Sequence, residues 1–212
     1  MNNVNLLELA LLLPVLLVSM MAHEVAHGYV AFRLGDPTAK SHGRLTLNPL
    51  KHLDPLGTAM FVITYLFSGF MFGWAKPIPV SPYYFRNRQR GMAIVGVVGP
   101  IVNLIIAIIF LLVINWVTPD FGSRTWDILF LIFQINLVLV LFNLIPIPPL
   151  DGSRVLGGFL PRRMYEKWVA VDRYGMLLVI VLIIVFQNQF FRLIAAAING
   201  LAQIFLTNYT IV

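Results

Sequence analysis

The chain has no cysteine, and it has little charge: 11% of its 212 residues are Asp, Glu, Lys or Arg, and only nine are acidic. The first absence excludes disulfides and thiolate metal centres, so any transition metal must be held by nitrogen and oxygen ligands. The second excludes an ordinary soluble domain, in which about one-quarter of residues are charged. Also missing are internal repeats, low-complexity tracts and any stretch that reads as a long linker. The opening "MNNVNLLELA" lacks the basic n-region of a signal peptide, so the first apolar run reads as retained. What is present is apolar: 59% of residues are hydrophobic and the mean hydropathy is +0.84. The expectation is a polytopic protein embedded in the lipid bilayer, with 1–212 forming a single domain. The net charge of +6 would suit nucleic acid, but in a membrane chain Lys and Arg gather in cytoplasmic loops, so no nucleic-acid partner is expected.

Five apolar stretches stand out, at 6–33, 55–75, 91–117, 126–147 and 174–206. The first, third and fourth each exceed the ~20 residues of a spanning helix. In the fifth, the run from Gly175 to Phe186 would rise only ~18 Å before "QNQ" at 187–189. It reads as one broken helix or as a helical hairpin. Between the stretches lie turn-rich connections. Residues 34–54 hold a short β-like run at "RLTL", and 76–90 carry three prolines that forbid a regular helix. Residues 148–173 suggest one or two short interfacial helices. The fold class predicted is an all-α membrane bundle of about four to six transmembrane helices, with a catalytic core over about 6–160 and a C-terminal helical segment at 174–206.

Within the first stretch stands "HEVAH". His23 and His27 are four apart, so on a helix they share a face and can grip one Zn²⁺. Glu24 beside them has the position of a general base acting on a metal-activated water. Ionisable groups at membrane depth are costly and mark function by default. Zinc needs a third protein ligand, with a fourth position left for water. His42, His52, Asp36, Asp54 and Asp151 are candidates. Asp151 is the best, because it follows a helix broken by Pro146, Pro148 and Pro149, where irregular backbone can line a cavity. Spacing equally allows Asp151 to be a simple helix cap.

"HEVAH", "GPIVN" at 99–103 and "NLIPIPPLDG" at 143–152 together resemble the site-2 protease family of intramembrane zinc metalloproteases (peptidase family M50). The likeness is closest to short bacterial members without a PDZ domain, and it extends over roughly residues 18–160. The resemblance implies one Zn²⁺ per chain held by His23, His27 and Asp151, with Glu24 as base and Asn143 holding the scissile carbonyl or its oxyanion. It also favours short membrane-associated β-strands, for which "RLTLN" at 44–48 and "KPIPVSP" at 76–82 are the candidates, as edges for an unwound substrate. The substrates it implies are single-pass membrane proteins, and the location it implies is a bacterial inner membrane. Nothing in the pattern specifies an oligomeric state.

The motifs also constrain topology. For "HEVAH" and Asp151, each near the C-terminal end of its helix, to share one metal, those helices must run parallel. One of the two stretches between them must then fail to cross. If 55–75 is re-entrant, residues 33–54, 76–90 and 148–173 lie on one side and hold thirteen of the fifteen basic residues. The positive-inside rule favours that arrangement and puts the active site toward the cytoplasm. Gly57, Gly69 and Gly73 would permit the bend. Asn136 and Gln134 read as interhelical hydrogen-bonding groups, Asn103 as that or as part of the site, and His42, His52 and Asp54 as loop residues. The rival functions are a membrane zinc transporter, which would need ligands repeated along a path, and an inactive metal-binding scaffold, which would not need Glu24.

Overall fold

The computed structural model describes residues 6–68 and 73–206. The helices are α1 (Leu6–Arg33), α2 (Thr38–Ser41), α3 (Pro55–Ser68), α4 (Arg88–Val117), α5 (Arg124–Asn143), α6 (Asp151–Gly157), α7 (Arg162–Ala170) and α8 (Gly175–Phe205). Among the described residues, four segments are long and apolar enough to cross a membrane: Leu9–Arg33, Arg88–Val117, Arg124–Asn143 and Arg162–Phe186. That is the lower end of the expected four to six.

Two expectations need correcting. Among the described residues there is no β-strand, so neither 44–48 nor 76–82 forms a sheet edge. Pro77, Pro79 and Pro82 remove three of the seven main-chain donors from the latter. Of those left, Lys76 N–H goes to His52 O, Ile78 N–H to the Glu24 side chain and Ser81 N–H to Asp36, so none of these three pairs with a strand. Second, α8 is neither broken nor a hairpin. It runs for 31 residues straight through 187–189, because Gln is a good helix former and Asn an acceptable one.

Capping sets the helix starts. The Asn87 side chain accepts from Arg90 N at 3.0 Å, and that of Ser123 accepts from Trp126 N at 3.2 Å. Helix α4 ends at Thr118, in the left-handed region at φ 46°. The turn to α5 includes Gly122 at φ 75°, which a glycine adopts without strain.

Helix α4 is the centre of the bundle, packed against α1, α5 and α6. Its inward face carries Gly91, Gly96, Gly99, Asn103 and Ala107, small or polar residues that let other helices approach closely. Ala107, Leu111 and Ile114 then meet Trp126, Phe133 and Leu137 of α5 and Ala202 of α8. The opposite face, with Ile101, Ile105, Leu112 and Trp116, is exposed and suits lipid.

Helix directions follow from cross-contacts. Going up α1, His23 meets Asn103 and His27 meets Val95, so α1 and α4 are antiparallel. Helices α4 and α5 are joined by a short turn and pack as an antiparallel hairpin. Therefore α1 and α5 run parallel, as a shared metal requires, and Arg33 and Arg88 sit at one end of the bundle. Helix α3 lies between them in sequence. Its 14 residues rise only about 21 Å. Gly73, after it, lies against Gly57 and Phe61, where a Cβ would come within 2.5 Å of Gly57 O. Lys76 N donates to His52 O at 2.9 Å. Gly69 lies outside the described residues.

Candidate metal centre

His23 and His27 stack on the inward face of α1, both buried. Asp151 is the first residue of α6, carried there by the turn 144–150 that follows α5. Gly152 allows that turn to close, because a Cβ at 152 would collide with the carbonyl of Leu144. Leu150, not Asp151, holds the N-cap position of α6, so the capping role is excluded. The Asp151 carboxylate faces the imidazoles, with Oδ2 2.9 Å from His23 Nε2 and 3.1 Å from His27 Nε2. The two Nε2 atoms are themselves 2.9 Å apart.

The outer contacts decide what these three atoms are. His23 Nδ1 lies 2.6 Å from Asn103 Oδ1 and His27 Nδ1 lies 2.7 Å from Val95 O. Asn103 can present only its oxygen to His23, since its Nδ2 donates to Asn136 Oδ1 at 2.8 Å. Both Nδ1 atoms therefore carry the proton, and both Nε2 atoms point lone pairs at each other and at a carboxylate. With both rings neutral, these are three buried acceptors within 3.1 Å of one another, a set that a cation between them satisfies. Two imidazoles and one carboxylate are a zinc ligand set, with the outer hydrogen bonds fixing ring orientation. The residues fit the metal.

Glu24 points beside this cluster, within the reach of a shared ion. Its Oε2 accepts from Ile78 N at 2.7 Å, and among the described residues Oε1 has no hydrogen-bond partner. Gly28, one turn on, is a glycine because Ile78 and Leu45 press against that point of α1. A cavity of about 360 Å³ opens over the cluster, walled by the 73–80 segment, Phe142 and Asn143 of α5, Arg154 of α6, and Met176 and Val179 of α8. Asn143 lines it while donating from Nδ2 to Leu139 O at 3.0 Å.

The other ligand candidates have separate duties. Asp36 accepts from Thr38 and from Ser81 N at 2.7 Å. Asp54 accepts from Gly57 N at 2.8 Å and starts α3. His52 donates from Nε2 to Thr46 O at 3.0 Å, and exposed His42 bonds its own turn through Thr38 O. Asn136 is the interhelical linker expected of it, donating to Ser19 Oγ at 2.9 Å. Three contributors escaped the sequence: the Val95 carbonyl and the Ile78 N–H, which have no side-chain signature, and Gly99. A Cβ at 99 would lie 2.5 Å from both imidazoles. Asn103 was visible, as a lone amide in an apolar helix.

Comparison with known proteins gives the family. Residues 117–186 match the profile of "Peptidase family M50". The chain is 42% identical over 176 residues to "Putative zinc metalloprotease YwhC" of Bacillus subtilis, an alignment covering 80% of this chain and 78% of that protein. It is 30% identical over 183 residues to "Putative zinc metalloprotease Rip2" of Mycolicibacterium smegmatis, covering 84% and 69%. It is also 30% identical over 154 residues to "Zinc metalloprotease MJ0392" of Methanocaldococcus jannaschii, covering 73% of this chain but only 35% of that one. No solved structure matches. With a buried His–His–Asp cluster, an adjacent glutamate and a relative of this identity over most of both chains, the protein belongs to peptidase family M50, the site-2 protease family, and is a zinc metalloprotease of the membrane.

Proposed function

We propose that the protein hydrolyses peptide bonds in or near the transmembrane segments of single-pass membrane proteins, in a bacterial inner membrane. The observation that carries this is the joint position of Glu24 and the three metal-facing acceptors at the floor of one cavity. Glu24 precedes Arg33 by nine residues, roughly 14 Å of helical rise, so the cleavage chemistry lies inside the bilayer. His23, His27 and Asp151 would hold a single zinc ion. When bound, zinc lowers the pKa of water toward about 7 and polarises a carbonyl.

The chain's own groups do the rest. Ile78 N–H fixes one oxygen of Glu24, and Oε1 is left to take the proton of the attacking water and return it to the leaving amine. Asn143 has a second amide proton for the developing oxyanion. A helical substrate must unwind before its carbonyl is accessible. The proline-rich 76–82 segment, fastened through Lys76, Ile78 and Ser81 N–H to His52, Glu24 and Asp36, supports a main-chain docking role despite forming no sheet.

Helix α3 with residues 73–75 is read as a re-entrant element, supported by its length and by the Gly57–Gly73 contact. The basic residues on that side of the bundle support an active site facing the cytoplasm. A transporter would relay its ion along successive sites, whereas among the described residues one potential cluster of metal-binding side chains is found.

The test is Glu24→Gln, in which zinc content stays near one per chain while cleavage of a membrane-spanning reporter peptide is lost. Full cleavage in that variant would remove the general-base reading.

A further inference from the structure

We infer that Arg44 is a positioning residue for the general base, acting through the extended segment 76–80. The inference rests on the role given to Glu24 above and extends it to a residue outside the cavity.

Arg44 is only 8% exposed, and no carboxylate lies within ion-pairing distance among the described residues. A buried guanidinium without a counter-charge is costly, and the side-chain Nε is buried without a partner. What the charge does engage is main chain: Nη2 donates to Lys76 O at 2.7 Å. A charged donor makes this bond stronger than an ordinary amide contact. Two residues further on, Ile78 N–H donates to Glu24 Oε2 at 2.7 Å. In extended backbone, groups two residues apart face the same edge. One edge of the segment is thus held by Arg44 at residue 76 and itself holds Glu24 at residue 78.

The intervening Pro77 has a fixed φ and no N–H, so it neither absorbs a displacement nor offers Glu24 a substitute donor. Pro79 on the other side is the same. Ile78 is the sole main-chain donor between Lys76 and Val80. The far end is pinned where Ser81 N donates to Asp36 Oδ2 at 2.7 Å. Arg44 is itself placed by its own N–H, which donates to Ala39 O at 2.9 Å. Residue 76 is held by Arg44 at its carbonyl and by His52 O at its N–H; releasing the stronger, charged contact loosens that end, lets Ile78 N–H shift, and weakens the bond that aims the free oxygen of Glu24.

The experiment measures hydrogen exchange at the Ile78 amide in detergent-purified full-length protein loaded with zinc. The same samples are assayed for kcat and KM on a quenched-fluorescent, Leu-rich transmembrane peptide containing a helix-weakening Gly-Pro pair. The variants are Arg44→Ala, Arg44→Met (which keeps the packing), Arg44→Lys and Glu24→Gln. Arg44→Ala and Arg44→Met are expected to bind one zinc, to exchange Ile78 faster, and to lose kcat by on the order of tenfold to a hundredfold with KM little changed. Arg44→Lys restores part of both. Unchanged Ile78 protection in zinc-loaded Arg44→Met overturns the inference, as does unchanged kcat. A fall in thermal stability with kcat per bound zinc unchanged also overturns it, because that is what a purely structural role would give. Full kcat in Glu24→Gln is a different result: it ends the general-base reading, while Ile78 exchange still reports whether Arg44 holds the segment.

Discussion

His23 of α1 and Asn103 of α4 form the hinge between the metal centre and the bundle core. The imidazole Nδ1 donates to Asn103 Oδ1 at 2.6 Å, and the same amide donates onward to Asn136 of α5 at 2.8 Å. Three helices are thereby fixed around one histidine. Because the Asn103 oxygen keeps the His23 proton on Nδ1, it also keeps Nε2 free for a metal. Asn103→Leu leaves the three ligands in place but frees the ring to turn and to change tautomer. Zinc affinity, measured by competition with a coloured chelator, is expected to fall by about 10–100-fold, as for other losses of an outer hydrogen bond. Unchanged affinity would mean that packing alone orients His23.

Gly99 makes a sharper prediction because the reason is steric. A methyl group there would stand 2.5 Å from His23 Nε2 and from His27 Nε2. It would occupy the space toward which both lone pairs point. Gly99→Ala on an interior helix position otherwise favours the helix by roughly 0.5–1 kcal/mol. The expected combination is therefore lost zinc and lost cleavage in a protein whose metal-free form keeps its helical circular dichroism. A variant that retained one zinc per chain would show that α4 can move away from α1 at little cost.

Much of this centre is legible in the sequence, and the reason is chemical. His23, Glu24 and His27 are polar groups in an apolar helix at i, i+1 and i+4, and nothing but a shared site explains them economically. Asp151 was ambiguous between ligand and cap from spacing, and the turn 144–150 aims its carboxylate at the two α1 histidines. The parts that stayed hidden are main-chain groups. The Val95 carbonyl and the Ile78 N–H exist at every residue, so their use depends on which backbone is brought close. The strands expected at 44–48 and 76–82 failed for a related reason. Alternating apolar residues permit a strand, but a ladder needs a partner, and the donors of Lys76, Ile78 and Ser81 go to His52 O, Glu24 and Asp36 instead. The continuity of α8 was missed because polarity at 187–189 was read as a break, although a helix tolerates amide side chains wherever water or headgroups reach them.

The amide chain from Ser19 through Asn136 to Asn103 predicts a stability effect separable from catalysis. Asn136 is fully buried, donates to Ser19 Oγ at 2.9 Å and accepts from Asn103. Asn136→Leu leaves the Asn103 amide and the Ser19 hydroxyl without one partner each. The expected destabilisation is about 1–3 kcal/mol in detergent unfolding, the usual cost of a buried polar group left unpaired. Ser19→Ala alone removes only the terminal link and is expected to cost less. If the two variants cost the same, Asn136 acts through packing and not through the chain of amides.

The arrangement of the crossings can be tested without background labelling, since the chain has no native cysteine. Lys40, Arg86 and Arg163 are exposed residues in the connections that follow α1, precede α4 and open α7, while Asp120 is exposed in the turn between α4 and α5. Helices α1 and α4 are antiparallel by their contacts at His23–Asn103 and His27–Val95, so the connection between them must begin and end at one membrane face. Single cysteines at 40, 86 and 163 are expected to react with a membrane-impermeant maleimide only from the cytoplasmic face of inverted vesicles. A cysteine at 120 is expected to react only from the opposite face. Reaction of 86 from the face opposite 40, with 120 reacting from the same face as 40, would mean that α3 and its continuation cross the bilayer. Helix α4 would then run parallel to α1, and Val95 and Asn103 could not reach His27 and His23 in that order. Because the metal geometry and the labelling pattern depend on the same helix directions, a single discordant cysteine would count against both.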